Sequence, residues 1–457
     1  MTSAQRLRLL GGILAAAAAV GLSWRIAAGT RIRGEPETLL RAIAVWWAVF
    51  AAGAACLLGV PRRWAVGVIV AGAIAMRVVA LAGVPALSND LDRYAWDGHV
   101  QAAGIDPYRY PPDARELARL RVRWLFPDAA SCRSLARGPG CIRISRPGDR
   151  TIYPPAAQAW FVAVHAVAGD GGEDRTWQIA ALLVDLATLA VMLALLRSWG
   201  RDVRFLVLYA WCPVAVTEAV QNGHVDGLAT LLILAALWAA RRRPAVAGAL
   251  LGVATLVKLY PALLVAALVL RRGWQRALAG FAAVVALGYL PHVLAVGPKV
   301  LGYLPGYLRE ENYAGGRRFL LLDALGLGGT LAQVVAAGVV VLTAAWVVAQ
   351  RDALTVDAAA RRLLGGLLLA ATAVQPWYAV PLAAVAALDG AWWWLAVAAA
   401  GYPLFFRTLE KVPLPAWPAS EVGQLAYASA LAVVLAGGLL AARRPYGGRV
   451  GPRPPTA

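Results

Sequence analysis

The stretch Ser88-Asn89-Asp90-Leu91-Asp92-Arg93-Tyr94-Ala95-Trp96-Asp97-Gly98-His99 gathers three carboxylates, an arginine and a histidine just after a hydrophobic run. A fixed carboxylate suits general-base work, which needs a group within reach of the proton it takes. With Arg93, Tyr94 and Asp97 beside them, Asp90 and Asp92 have the chemistry to bind an acceptor and deprotonate it. The same acidic pair suits Mg²⁺ or Mn²⁺, which take oxygen ligands. Ser88, Asn89 or Asp90 equally suits the cap of a helix that starts here, and Asp-x-Asp alone does not choose among these.

Four other places carry similar chemistry. Lys258 interrupts apolar sequence and is followed by Tyr260 and Pro261. An ammonium at the centre of a bilayer costs roughly 2.5–3.5 kcal/mol on insertion scales, and an anionic ligand such as a lipid-linked phosphate would offset that cost. The bland alternative is a lysine snorkelling to the interface. In Asn222-Gly223-His224-Val225-Asp226-Gly227, His224 and Asp226 suit hydrogen bonds to a sugar or phosphate, or the capping of the next helix. They do not make a zinc site, because no third ligand is spaced with them. Tyr303, Tyr307, Glu310, Glu311, Asn312, Tyr313, Arg317 and Arg318 crowd the 297–329 segment. They suit sugar stacking and phosphate pairing, or an interfacial aromatic belt. The fourth place is Gln375-Pro376-Trp377-Tyr378. Arg77, Asp185 and Glu218 lie in or near apolar runs, where charge is either functional or structurally paired.

These residues must be positioned by a membrane bundle. The 457 residues are 60% hydrophobic and only 15% charged, too little charge to cover a soluble protein of this size. Apolar runs near the length that crosses about 30 Å of hydrocarbon recur throughout, and lipid-exposed backbone of that kind must be helical. The expected spans are 9–28, 40–59, 64–84, 177–196, 203–221, 225–240, 245–257, 259–270, 275–296, 330–349, 361–375, 377–389, 391–405 and 422–442. The first is read as an uncleaved helix, since Trp24 and Arg25 stand where a signal cleavage site wants small residues. The fold class is therefore an all-α, polytopic transmembrane bundle of about 13–14 helices, a single domain over 1–457. Its longest polar segment is an outer acidic loop over 85–176, and 297–329 forms a second outer loop.

Basic clusters orient the bundle. Arg62/Arg63, Arg197/Arg201/Arg204, Arg241/Arg242/Arg243, Arg271/Arg272/Arg276, Arg351/Arg361/Arg362 and Arg443/Arg444 all fall on one side if the N-terminus is cytoplasmic. The acidic loop, the turns at Asn222–Asp226, Lys258–Pro261 and Gln375–Tyr378, and the 297–329 and 406–421 loops then share the other side. Residues 151–168 would break this alternation if they spanned, so they are read as an interfacial helix. The hairpins 244–271 and 361–389 are too short for two full crossings. Their tips, at Lys258 and Gln375–Tyr378, are therefore recessed and line a cavity. The net charge of +19 reads as this bias plus contact with anionic lipid, not as nucleic-acid binding. Cys132 and Cys141, both in the loop placed outside, have the spacing and compartment for a disulfide, with two free thiols as the alternative.

Together these motifs give a resemblance. Asp90-Leu91-Asp92-Arg93-Tyr94, Gly104-Ile105-Asp106-Pro107-Tyr108, Tyr153-Pro154-Pro155, Gly223-His224-Val225-Asp226, Gly252 through Lys258-Leu259-Tyr260-Pro261, and Gln375-Pro376-Trp377-Tyr378 follow one another over about residues 85–380. In that order they resemble the GT-C class of membrane glycosyltransferases. The resemblance is closest to glycosyltransferase family 87 and its polyprenyl-phosphate-mannose-dependent relatives, the bacterial phosphatidylinositol mannosyltransferases and the catalytic subunit of GPI mannosyltransferase I. The resemblance implies transfer of a hexosyl residue, mannose by family expectation, from a polyprenyl-phosphate-linked donor to a lipid or glycan acceptor. It implies inversion at the anomeric carbon and a reaction on the outer face of the cell membrane. It makes Asp90 the base, Asp92 the residue that orients acceptor or base, and Lys258 the holder of the donor phosphate. Arg93, Tyr94, Asp97, Tyr153, His224, Asp226, Tyr260, Asn312, Arg317, Gln375, Trp377 and Tyr378 are the expected substrate-binding residues. No cofactor is expected; relatives differ over metal need, so a divalent ion at Asp90 and Asp92 is not carried forward. The chain departs from many GT-C enzymes in having two extra hydrophobic segments before the acidic loop and a basic insertion over about 115–150. The rival reading is a lipid or small-solute transporter or flippase, which favours internal repeats and ionisable groups along the bundle.

Overall fold

The computed structural model describes residues 1–29, 34–135, 137–269, 272–408 and 418–443. Arg271, Arg444 and the 409–417 part of the expected 406–421 loop lie outside them. Among the described residues all regular structure is helical, as the apolar runs require. Seven helical segments are long and apolar enough to cross a membrane: Ser3–Ala28, Pro36–Leu58, Arg62–Ala80, Asp174–Ser198, Trp274–Glu310, Gly329–Ala349 and Ala419–Arg443. The fifth runs on through a 3₁₀ turn, Gly297–Leu301, into Leu304–Glu310, so the expected 297–329 loop begins as helix. A further apolar pair, Val203–Ala210 and Pro213–Gln221, is bent by 63° and forms either a broken span or a re-entrant loop. Pro213 explains the break: it has no N–H to donate and disfavours helical backbone at Cys212.

The other expected segments are shorter helices, among them Asp226–Ala239, Pro244–Val257, Val356–Ala371, Val380–Asp389 and Leu395–Thr408. Their length is set by protein neighbours rather than by lipid. Val380–Asp389, for example, is buried along almost its whole length. By contrast, only Ala277 is buried in Trp274–Val296, and Leu287, Leu294, Val341 and Leu342 stand open on the surface. An apolar surface of that extent needs lipid against it.

Two hydrophobic cores form. The larger joins the long helices to the short interior ones through Trp46, Ile69, Met192, Trp211, Ile233, Leu364, Leu382 and Phe406. The smaller lies under a cap built from 85–176. It unites Leu91, Tyr94, Trp96 and Val100 of Asp90–Ala102 with Phe161 and Val164 of Pro155–Ala168, and rests on Trp177, Val225, Ala229 and Val257 of the bundle. Pro155–Ala168 is 14 residues long, which fits an interfacial helix and not a span. Cys132 and Cys141 are joined in a disulfide within the cap.

Members of three of the arginine clusters meet in the fold. Arg62 lies 3.6 Å from Asp202, Arg204 donates to the Val60 carbonyl, Arg201 lies 3.6 Å from Asp357, and Arg361 pairs with Asp389. Within the bundle Arg77 and Asp185 pair with each other, both fully buried. Tyr209 Oη donates to Asp185 and Arg77 Nη1 to the Ala210 carbonyl. The two intramembrane charges thus pair with each other, while Arg77 Nη2 is buried without a hydrogen-bond partner. Arg77→Ala is expected to cost about 3–5 kcal/mol, because Asp185 is left buried without its cation. Unfolding in mixed micelles measures this, and a loss below about 1 kcal/mol would contradict the role.

Candidate active site

The acidic loop is fastened to the bundle by two amides. Gln221 accepts from the Ala86 N–H and donates to the Val84 carbonyl, and Asn222 accepts from the Leu87 N–H at 2.8 Å. Gln178 donates to both the Gly83 and Gln221 carbonyls. Chain direction is thus fixed three residues before Asp90, where the helix Asp90–Ala102 begins. Ser88 Oγ accepts from the Asp90 N–H. The Asp90 carboxylate itself does not cap the helix. Tyr153 Oη donates to its Oδ2 at 3.1 Å, and His224 Nδ1 stands 3.5 Å from the same oxygen. This side chain is 22% exposed, so it is held from below and open above.

His224 is placed by a local irregularity. Thr217–Gln221 forms one turn of π-helix, a feature that often marks functional sites. The His224 N–H donates to the Glu218 carbonyl, and Gly223 adopts φ +64°. A Cβ at Gly223 would stand 2.9 Å from Leu91 Cδ2, so glycine here permits both the turn and the approach of the acidic helix. The imidazole stacks on Trp377 at 3.9 Å, and its Nε2 lies 3.5 Å from Glu218 Oε2. Glu218 also accepts from Tyr402 Oη at 2.8 Å. Asp90, His224 and Glu218 form a row from the open face into the fully buried interior.

Lys258 follows the last residue of Pro244–Val257 and is only 13% exposed. Its Nζ lies 3.3 Å from Asp226 Oδ2, and it sits over the rings of Tyr153 and Tyr378 at 5.3 and 5.2 Å. Such aromatic faces stabilise a cation that has lost water. Asp226 opens Asp226–Ala239 without a capping bond; it faces Lys258 and accepts from Tyr260 Oη at 3.0 Å. Tyr378 Oη meets Tyr307 Oη at 3.0 Å, and Gln375 donates to Glu311 at 2.6 Å. Tyr153 therefore bridges Asp90 and Lys258, while the second loop closes the Tyr378 side.

The structure brings Asp90, Tyr153, His224, Asp226, Lys258, Tyr260, Gln375, Trp377 and Tyr378 into one neighbourhood. The remaining expected residues stand elsewhere or do other work. Asp92 is buried, and Arg143 bridges it to Asp174 at 3.2 and 3.1 Å; the cation between those two acids is supplied by the chain. Arg93 pairs with Asp97 at 2.9 Å and donates to the Asp149 carbonyl, and Asp97 accepts from Gln158. Tyr94 stacks on Phe161 inside the cap. Asn312 and Arg317 are exposed, whereas the neighbouring Arg318 turns inward to Glu311 at 2.6 Å. Three participants absent from the expected set are Glu218, Tyr307 and Glu311. For Glu218 the signal was present: an acid in an apolar run, six residues before a histidine.

The electrostatics favour an ionised Asp90. Burial pushes its carboxyl up, but His224 by hydrogen bonding and charge, then the Lys258 ammonium, then the Tyr153 hydroxyl outweigh it and hold the group at about 2, below its ordinary 3.8. The folded value lies below the unfolded one, so the stability this acid contributes is present above about pH 4 and lost as pH falls towards 2. At neutral pH Asp90 is therefore a carboxylate, hydrogen-bonded by Tyr153 and open on one side.

Comparison gives first the class: a many-helix membrane enzyme that transfers sugar residues. Residues 151–372, just under half of the chain, match the model of glycosyltransferase family 87, which supports assignment to that family. The matched segment carries Tyr153, Glu218, His224, Asp226, Lys258, Tyr260 and Glu311; Asp90 and the Gln375–Tyr378 turn flank it. No curated protein and no solved structure matches the chain.

Proposed function

We propose that this glycosyltransferase moves a hexosyl residue, mannose on the family resemblance, from a polyprenyl-phosphate donor to a hydroxyl of a lipid or glycan acceptor. The observation that carries the reading is the pairing, across Tyr153, of an ionised and accessible Asp90 with a recessed Lys258. The donor phosphate binds Lys258, with its polyprenyl chain in the lipid beside the bundle. The acceptor hydroxyl attacks the anomeric carbon from the face opposite the phosphate. The new bond joins acceptor oxygen to that carbon, and the carbon–oxygen bond to phosphate breaks with its electron pair. Asp90 takes the hydroxyl proton, and configuration inverts. Lys258 offsets the charge gathering on the leaving phosphate. As the ammonium turns from Asp226 to phosphate, its hold on Asp90 weakens, and the carboxylate becomes a stronger base when the donor is in place. His224 and Glu218 orient Asp90 from behind. No step requires a metal.

The positions of the basic clusters between apolar runs support one sidedness. Clustered Arg residues mark the cytoplasmic side, which leaves the acid-lined end facing outward from the cell membrane, in contact with membrane lipid and not with nucleic acid. The family match argues against the transporter reading, and so does the crowding of polar side chains at one end. The test is reconstitution in nanodiscs with a labelled polyprenyl-phosphate hexose and a lipid-glycan acceptor. Expected are labelled product and released polyprenyl phosphate. Transfer supported by a nucleotide sugar alone would overturn the donor class.

A further inference from the structure

A second group of ligand-type side chains lies at the far end of the cap helices. Donor atoms of His99, His165 and Asp170 all fall within 4.8 Å of one another. His99 Nδ1 is 2.8 Å, and His165 Nε2 3.6 Å, from the same Asp170 oxygen. The imidazoles are only 13% and 12% exposed, while Asp170 is 69% exposed. His99 Nδ1 is buried yet makes no hydrogen bond; near as the carboxylate is, the two are not aligned as donor and acceptor.

The fold builds this convergence. A Cβ at Gly98 would stand 2.5 Å from the Phe161 carbonyl oxygen and 3.1 Å from His165 Cβ. Only glycine lets Asp90–Ala102 and Pro155–Ala168 approach so closely, and that approach sets the two imidazoles side by side, ring centres 5.2 Å apart. Gly169, with φ +64°, then turns the chain at the end of the second helix. Trp124 Nε1 donates to the Asp170 carbonyl at 3.1 Å, fixing that turn over the two rings.

We propose that His99, His165 and Asp170 form a zinc-type divalent-metal site that clamps the two cap helices together. Two imidazole nitrogens and one carboxylate oxygen are a donor set that Zn²⁺ takes at about 2.0–2.2 Å, which puts donor atoms roughly 3.3 Å apart in a tetrahedron. Nitrogen donors disfavour Mg²⁺ and Ca²⁺, which prefer oxygen. Three protein ligands leave one position for water on the exposed side. His99 lies nine residues beyond Asp90, about 13 Å along the helix, so the ion does not touch the reacting atoms. It sets the angle between the helix that opens at Asp90 and the one that follows Tyr153.

Full-length protein in detergent, stripped with chelator, is titrated with Zn²⁺ and, as a spectroscopic probe, with Co²⁺. One equivalent is expected to bind, with the intense visible absorption of tetrahedral Co²⁺ and a rise in Tm. Asp90→Asn is expected to keep that equivalent, and His99→Gln combined with His165→Gln to lose it. Asp170→Asn changes only an exposed carboxylate and so spares the fold; it is expected to weaken binding by at least about tenfold. Failure to take up Zn²⁺, or affinity unchanged in Asp170→Asn and in the double variant, overturns the site.

Discussion

Asp90→Asn is expected to slow sugar transfer by about 10²–10⁴-fold, the usual contribution of a general base, while donor affinity stays within a few fold. The amide has the size of the carboxylate, and its oxygen still accepts from Tyr153. What it lacks is the charge and the capacity to take the acceptor's proton. The other acids of the same helix are poor substitutes, because Asp92 is tied to Arg143 and Asp97 to Arg93. Single-turnover transfer at saturating donor separates the chemical step from binding. An unchanged rate would remove Asp90 as the base. Asp92→Asn gives the contrast: its expected loss is in folded yield, since Arg143 keeps only Asp174 as a carboxylate partner among the bonds described above.

Lys258→Met is expected to weaken donor binding and also to lower the rate at saturating donor by about 10²–10³-fold, as for other groups that meet charge developing on a leaving oxygen. Methionine keeps an unbranched stem against Tyr153 and Tyr378. The substitution also strands Asp226, which is fully buried. A double variant, Lys258→Met with Asp226→Asn, separates the two effects. Removing both charges is expected to restore folded yield but not donor affinity. Equal binding of polyprenyl phosphate by this double variant and the parent would sink the phosphate role and leave Lys258 as half of a structural pair.

Local pattern revealed much of this in the sequence. The apolar runs marked where helices lie, because lipid imposes one answer on the backbone. The recessed position of Lys258 followed from counting residues in 244–271, and its 13% exposure agrees with that count. Asp90 and Asp92, two residues apart, looked alike in sequence and differ in the fold. Arg143, fifty-one residues away from Asp92, decides which acid is neutralised, and no local periodicity encodes that choice. Arg317 and Arg318 show the same limit at one-residue scale. Their identities are equal, and it is the pairing of Arg318 with Glu311 in the fold that distinguishes the one that faces inward. Glu218 was visible as a charge in an apolar run, but its place behind His224 depends on the π-helical turn, which the sequence pattern does not announce.

The bonds from Gln221 and Asn222 to Ala86 and Leu87 span 135 residues. At ribosomal rates of about 5–20 residues per second, the anchors follow the acidic segment by roughly 7–27 s. During that interval the nascent chain already holds its three acids, with neither His224 nor Lys258 yet made. Biogenesis must therefore keep Asp90 wet and without its bundle partners while later helices enter the bilayer, and the site closes only once the Gln375–Tyr378 turn has been made. A pulse-chase experiment would see protease resistance of the 85–176 region arise late and abruptly, coupled to insertion of the bent 203–221 helix pair rather than to synthesis of the region itself.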